Sequence, residues 1–159
     1  MSFSNELKSN NIKFIHIHCR KVIYKPNKNY VIVIRNPIQR FISAFYWRKY
    51  LVCDIKIQKN KFKNEQKKIN KYKNVNNLCN DLKKNLDIFN GNRSSGNYIH
   101  HLKEDIHFYL DNFIDKCPKK QIVGVICTET LNDDMKNIFN IDVSKHEKNN
   151  KYCKNVSDK

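Results

Sequence analysis

The segment YVIVIR, residues 30–35, does most to limit what this chain can fold into. It is a β-branched apolar run with no polar alternation, the pattern of a strand covered on both faces. The period then changes within two residues. Pro37 suits a first helical turn and Asn36 suits its N-cap. Ile38, Phe41, Ile42 and Phe45 follow at i, i+3, i+4 and i+7, the single stripe of a half-buried helix. Two more runs of the first kind, IKFIHIH at 12–18 and QIVGVIC at 121–127, predict further strands. Covered strands separated by helical patterns imply an α/β fold with a mostly parallel sheet.

The rest of the chain fits around this frame as one domain over residues 1–159. Residues 55–86 carry a run of lysines and read as a mobile or helical surface excursion. GNRSSGN at 91–97 reads as a loop. YIHHLKEDIHFYLDNFI at 98–114 reads as one helix with Ile99, Leu102, Ile106, Tyr109, Leu110 and Phe113 on its stripe. Thr130 and Asp133 have capping-box spacing and open a helix to about Phe139. The tail from Asp142 is polar.

Thirty-one Lys and Arg against 15 Asp and Glu give a net charge of +16, which favours anionic partners. Part of that charge reflects an Asn-, Lys- and Ile-rich composition and reads as a solvated face. The six cysteines include no C-x-x-C pair, and the first residues lack the apolar core of a signal peptide, so free thiols and a cytoplasmic setting are expected. HIHC offers His16, His18 and Cys19, but not in the paired spacing of structural zinc sites, and no metal is expected. No apolar run is long enough to span a membrane.

Arg35 has two readings. In open α/β sheets ligands sit beyond the carboxyl ends of strands, where helix N-termini offer N–H groups and a favourable dipole. An arginine there can grip a phosphate with two parallel hydrogen bonds, and Ser43 on the following helix adds a hydroxyl. Alternatively, Arg35 pairs with a carboxylate at the helix start and Ser43 faces solvent.

IRNPIQRFISAF resembles the 3′-phosphate-binding segment of the sulfotransferases that use 3′-phosphoadenosine 5′-phosphosulfate (PAPS). Arg35, Asn36, Pro37, Arg40 and Ser43 match that pattern position by position. The resemblance implies that Arg35 and Ser43 bind the 3′-phosphate of the nucleotide donor. FIHIH ahead of this segment is similar to the uronyl 2-O-sulfotransferases, whose preceding strand carries two histidines one residue apart. It implies His18 as the base that takes a sugar-hydroxyl proton, with His16 orienting or binding. IVGVICTETLNDDMKNIFNI is similar to a late strand–helix unit of the carbohydrate sulfotransferases, and Glu129 matches its helix-opening glutamate in a structural role.

The implied fold is a three-layer, mostly parallel sheet of the P-loop nucleotide-binding type. Its 5′-phosphosulfate loop, which should precede residue 12, is missing, as in a chain truncated at its N-terminus. The implied activity is in-line sulfuryl transfer from PAPS, without a metal, to a hydroxyl of an anionic carbohydrate, with Arg40 and Arg48 flanking the acceptor. Two rivals stand beside it: a catalytically inactive nucleotide- or sugar-binding module of the same fold, and a basic nucleic-acid-binding protein. No nucleic-acid motif supports the latter.

Overall fold

The computed structural model describes residues 7, 10–15, 17, 21–62, 64–84, 86 and 99–142. These gather into two compact units. Among the described residues, one takes those up to Asn36 together with 106–142; the other takes Pro37–Asp105.

The first unit is an α/β structure. Strand β1 (Tyr30–Ile34) pairs in parallel with β2 (Ile122–Cys127), and the two form the sheet seen among the described residues. The ladder runs from Tyr30↔Ile122 to Ile34↔Cys127, with an irregularity between Tyr30 and Val31. Thr128 N–H donates to the Ile34 carbonyl at 3.0 Å and carries the pairing past the strand ends. Two of the expected strands are therefore parallel neighbours.

The third, over 12–18, is not a strand at any described residue. Ile12 and Phe14 pack on this unit's core, whereas Ile15 is 83% exposed and Ile17 is exposed as well. The apolar run suggested cover on both sides, and only alternate residues receive it.

Helix α6 (Leu131–Phe139) follows β2 and lies against it. Leu131 and Met135 from the helix, Ile126 from β2, Leu7 and Ile141 form the core. A Cβ added to Gly124 would lie 2.6 Å from Ile138 Cδ1 and 3.0 Å from its Cγ2, so glycine is what lets the helix settle on the strand. The helix start differs in detail from the expected box. It is Asp134, not Asp133, whose Oδ2 accepts both Thr130 Oγ1–H at 2.9 Å and Cys127 N–H at 2.7 Å.

The second unit is helical. Its first helix, α1 (Pro37–Lys49), begins where the sequence placed it and runs into a π-helical turn (Tyr50–Asp54), where Ile55 N–H reaches back to the Tyr50 carbonyl. Helices α2 (Glu65–Ile69) and α3 (Val75–Lys84) come from the lysine-rich stretch. That stretch is helical with exposed lysines, but it is no excursion. Ile69, Tyr72, Val75, Leu78 and Leu82 share a core with Phe45, Leu51, Val52, Ile99 and Leu102.

The predicted helix at 98–114 is broken. Ile99 and Leu102 are buried in the second unit, while α4 (Ile106–Leu110) and α5 (Phe113–Lys116) belong to the first. Positive φ at His101 (70°) and Asp111 (30°) interrupts the helical path. Ile99 and Leu102 of the expected stripe enter the core of the second unit, Phe113 is buried against Tyr30 in the first, and Ile106 is exposed. The 91–97 segment and the tail beyond Asp142 lie outside the described residues. The four described cysteines, Cys53, Cys79, Cys117 and Cys127, are free, as expected.

Candidate active site

Parallel pairing puts the carboxyl ends of β1 and β2 side by side, and the corner they form is built from Arg35 and Glu129. Asn36 N–H donates to Glu129 Oε1 at 3.0 Å, which fixes the chain leaving β1 against the chain leaving β2. Arg35 Nε lies 4.0 Å from the same oxygen. That is ion-pair range but too long for a hydrogen bond. The Arg35 side chain is one-third exposed. Its guanidinium lies within ion-pair range of the Glu129 carboxylate at the strand end.

Burial raises the proton affinity of Glu129. The N–H groups of Asn36 and of Glu129 itself, the Thr128 hydroxyl and the Arg35 charge outweigh it, and the carboxyl sits below its ordinary range. The corner thus carries an arginine balanced by a carboxylate that stays ionised. The corner gives Arg35 the carboxylate neighbour of its second reading.

Ser43, Arg40 and Arg48 belong to the second unit. Ser43 is half-buried on α1, in the second unit. Arg40 Nη1 donates to the His101 carbonyl at 3.1 Å within that unit. Arg48, expected beside an acceptor, is buried. Its Nε and Nη2 bind Glu65 Oε1 and Oε2 at 3.0 and 2.6 Å, and Nη1 binds Gln58 Oε1 at 2.6 Å. Phe62 covers it at 5.4 Å. Its guanidinium is committed to the core of the second unit, because Glu65 arrives there with matching fork geometry. His16 and His18 lie outside the described residues.

Two features were missed in the sequence. One is the Arg48–Glu65 pair. Arg48 continues the Phe41–Phe45 stripe, and that was the available signal for its burial. The other is the cluster of His100, His101 and Glu104, signalled by H-H-x-x-E spacing.

The family model of the sulfotransferases matches residues 1–157, nearly the whole chain. An α/β unit with a parallel strand pair, a strand–arginine–helix segment and this match together define the class: the chain belongs to the sulfotransferase family. Sulfuryl transfer from a sulfate donor is the activity that membership brings. No curated protein and no solved structure matches it. Among the described residues no helix is long and apolar enough to cross a membrane.

Proposed function

We propose that this chain transfers a sulfuryl group from PAPS to a hydroxyl of an anionic carbohydrate, on a three-layer, mostly parallel sheet of the P-loop nucleotide-binding type. The observation that carries this reading is the IRNPIQRFIS segment. Its arginine directly follows a parallel strand, and its proline opens a helix. A charged fork at a strand end suits a phosphate, and Arg35 with Ser43 is assigned to the 3′-phosphate of the nucleotide on the motif's spacing.

His18, with His16 orienting or binding, is assigned to the acceptor side. The acceptor oxygen attacks sulfur in line, the bond from sulfur to the phosphate oxygen of PAPS breaks, and His18 takes the hydroxyl proton. The products are a sulfate ester and 3′-phosphoadenosine 5′-phosphate. A neutral imidazole has the proton affinity for this near pH 7. The charge of +16 favours an acidic polysaccharide as acceptor. Arg40 is assigned to the acceptor's flank.

The test is calorimetry with 3′-phosphoadenosine 5′-phosphate, followed by transfer of labelled sulfate from PAPS to uronic-acid polysaccharides. A charged bidentate contact contributes about 1.5–3 kcal/mol, so Arg35→Ala weakens nucleotide binding roughly tenfold to a hundredfold. General-base catalysis contributes about 10²–10⁴-fold, so His18→Ala lowers turnover by that order and leaves nucleotide affinity nearly intact. Equal affinity for a nucleotide lacking the 3′-phosphate overturns the Arg35 assignment. Binding without transfer marks the chain as a nucleotide-holding module, and tighter binding of a nucleic acid than of either ligand supports the basic-protein alternative.

A further inference from the structure

We propose that His100, His101 and Glu104 form a binding site for a divalent transition-metal ion of the zinc type. One nitrogen from each imidazole and one carboxylate oxygen lie within 4.8 Å of one another. All three residues belong to the second unit, so the site is complete within it.

The backbone makes this grouping. Consecutive residues ordinarily send their side chains apart. At His101 φ is 70°, in the left-handed region that non-glycine residues seldom occupy, and the two imidazole centroids come to 3.9 Å. Such a conformation persists where its surroundings over-determine it. Here they do. His100 N–H donates to Glu65 Oε1 at 2.8 Å, and Phe62 lies against the His100 ring at 4.4 Å. Arg40 Nη1 holds the His101 carbonyl at 3.1 Å. Glu104 closes the group from four residues on, its Oε1 3.5 Å from His100 Nδ1.

These distances suit a small ion. Zinc bound at about 2.0–2.2 Å by nitrogen and oxygen in a tetrahedron puts its ligand atoms roughly 3.3–3.5 Å apart. The His100–Glu104 spacing is already there, and the rest of the group need only contract from at most 4.8 Å. Two imidazoles and a carboxylate favour zinc, cobalt or nickel over the hard cations, which prefer oxygen. Three protein ligands leave a fourth position open. His100 and Glu104 are buried and His101 is half-buried, so the ion enters on the His101 side. Glu104 supplies the negative charge, since Glu65 is occupied by Arg48.

The test is titration of the metal-free chain with Co²⁺, followed by visible d–d bands, and then with Zn²⁺. The wild type is expected to take up one Co²⁺ with tetrahedral bands that Zn²⁺ abolishes, and Zn²⁺ raises its unfolding midpoint. Glu104→Gln keeps side-chain size, and in His101→Asn the smaller asparagine tolerates positive φ. Each weakens Co²⁺ binding by more than the roughly 10–100-fold that loss of an outer-sphere partner costs. His107→Asn, on the exposed face of α4, changes nothing. A double variant, His16→Asn with His18→Asn, tests the other histidine cluster and retains the bands. Absent bands, bands unchanged in both Glu104→Gln and His101→Asn, or bands lost only in the His16/His18 double variant overturn the proposal. If Glu104→Gln does not fold, His101→Asn alone decides.

Discussion

Removing Glu65 is the severest single test of how the helical unit holds together. Arg48 and Glu65 are 1% and 0% exposed, and they share two hydrogen bonds of 3.0 and 2.6 Å. In Glu65→Leu the guanidinium stays inside with Gln58 and the Phe62 ring as its remaining neighbours. The same change strips the acceptor from His100 N–H. Breaking a buried pair from one side costs about 3–5 kcal/mol, because a charge is left in a medium that cannot solvate it. The orphaned N–H places this case at the upper end, about 5 kcal/mol.

The double variant, Arg48→Met with Glu65→Leu, removes both charges and refills the space. Its cost falls to that of the bare N–H, about 1–3 kcal/mol. Urea unfolding of wild type, both single variants and the double closes the cycle. The reasoning fails if Glu65→Leu costs under about 1 kcal/mol, the range of exposed pairs, or if the double variant is no more stable than the single.

Two further outcomes follow from the strand unit. Gly124→Ala drives a methyl group into Ile138 and costs about 1–3 kcal/mol by overpacking, read as a lower urea midpoint with unchanged slope. The depressed carboxyl of Glu129 contributes stability that is fully present above its ordinary value of 4.5 and is lost as pH falls through the lower folded-state value. Acid unfolding of Glu129→Gln is therefore expected to be less steep below pH 4.5 than that of wild type, and parallel curves would refute the hydrogen-bonded, ionised carboxylate.

The parts legible in the sequence were those whose own period is regular, an unbroken apolar, largely β-branched run for each strand and a change of period at Pro37 for the helix. YVIVI and IVGVIC became parallel partners, and the step from Arg35 to the helix at Pro37 fell where proline and the change of period put it. The misread parts turn on what a segment meets in space. Arg48 continues the Phe41–Phe45 stripe, but the carboxylate that makes its burial possible, Glu65, lies 17 residues away. Ile38, at the head of the expected stripe, is exposed, so the buried face of α1 runs through Phe41, Phe45 and Arg48 instead. Ile99 and Phe113 looked like one helical face because both are apolar at the right spacing, yet they pack in different cores. At the candidate site the sequence offered a carboxylate partner for Arg35 as one of two readings, but not that Glu129 supplies it.

The helical unit interrupts the strand unit, entering after Asn36 and leaving before Ile106. This sets an order of events at synthesis. β1 emerges early and must wait for its partner, since Tyr30 pairs with Ile122. The intervening helices can form on contacts close in sequence, which assemble faster than distant pairings. Once folded they shorten the span that must close before the two strands meet, and each halving of a flexible loop saves about 0.6 kcal/mol of closure entropy. A nascent chain with a damaged helical unit would leave β1 unpaired for longer, its edge open to other chains. The insertion therefore sets a helical unit built on nearer contacts between two strands whose pairing spans the chain from Tyr30 to Ile122.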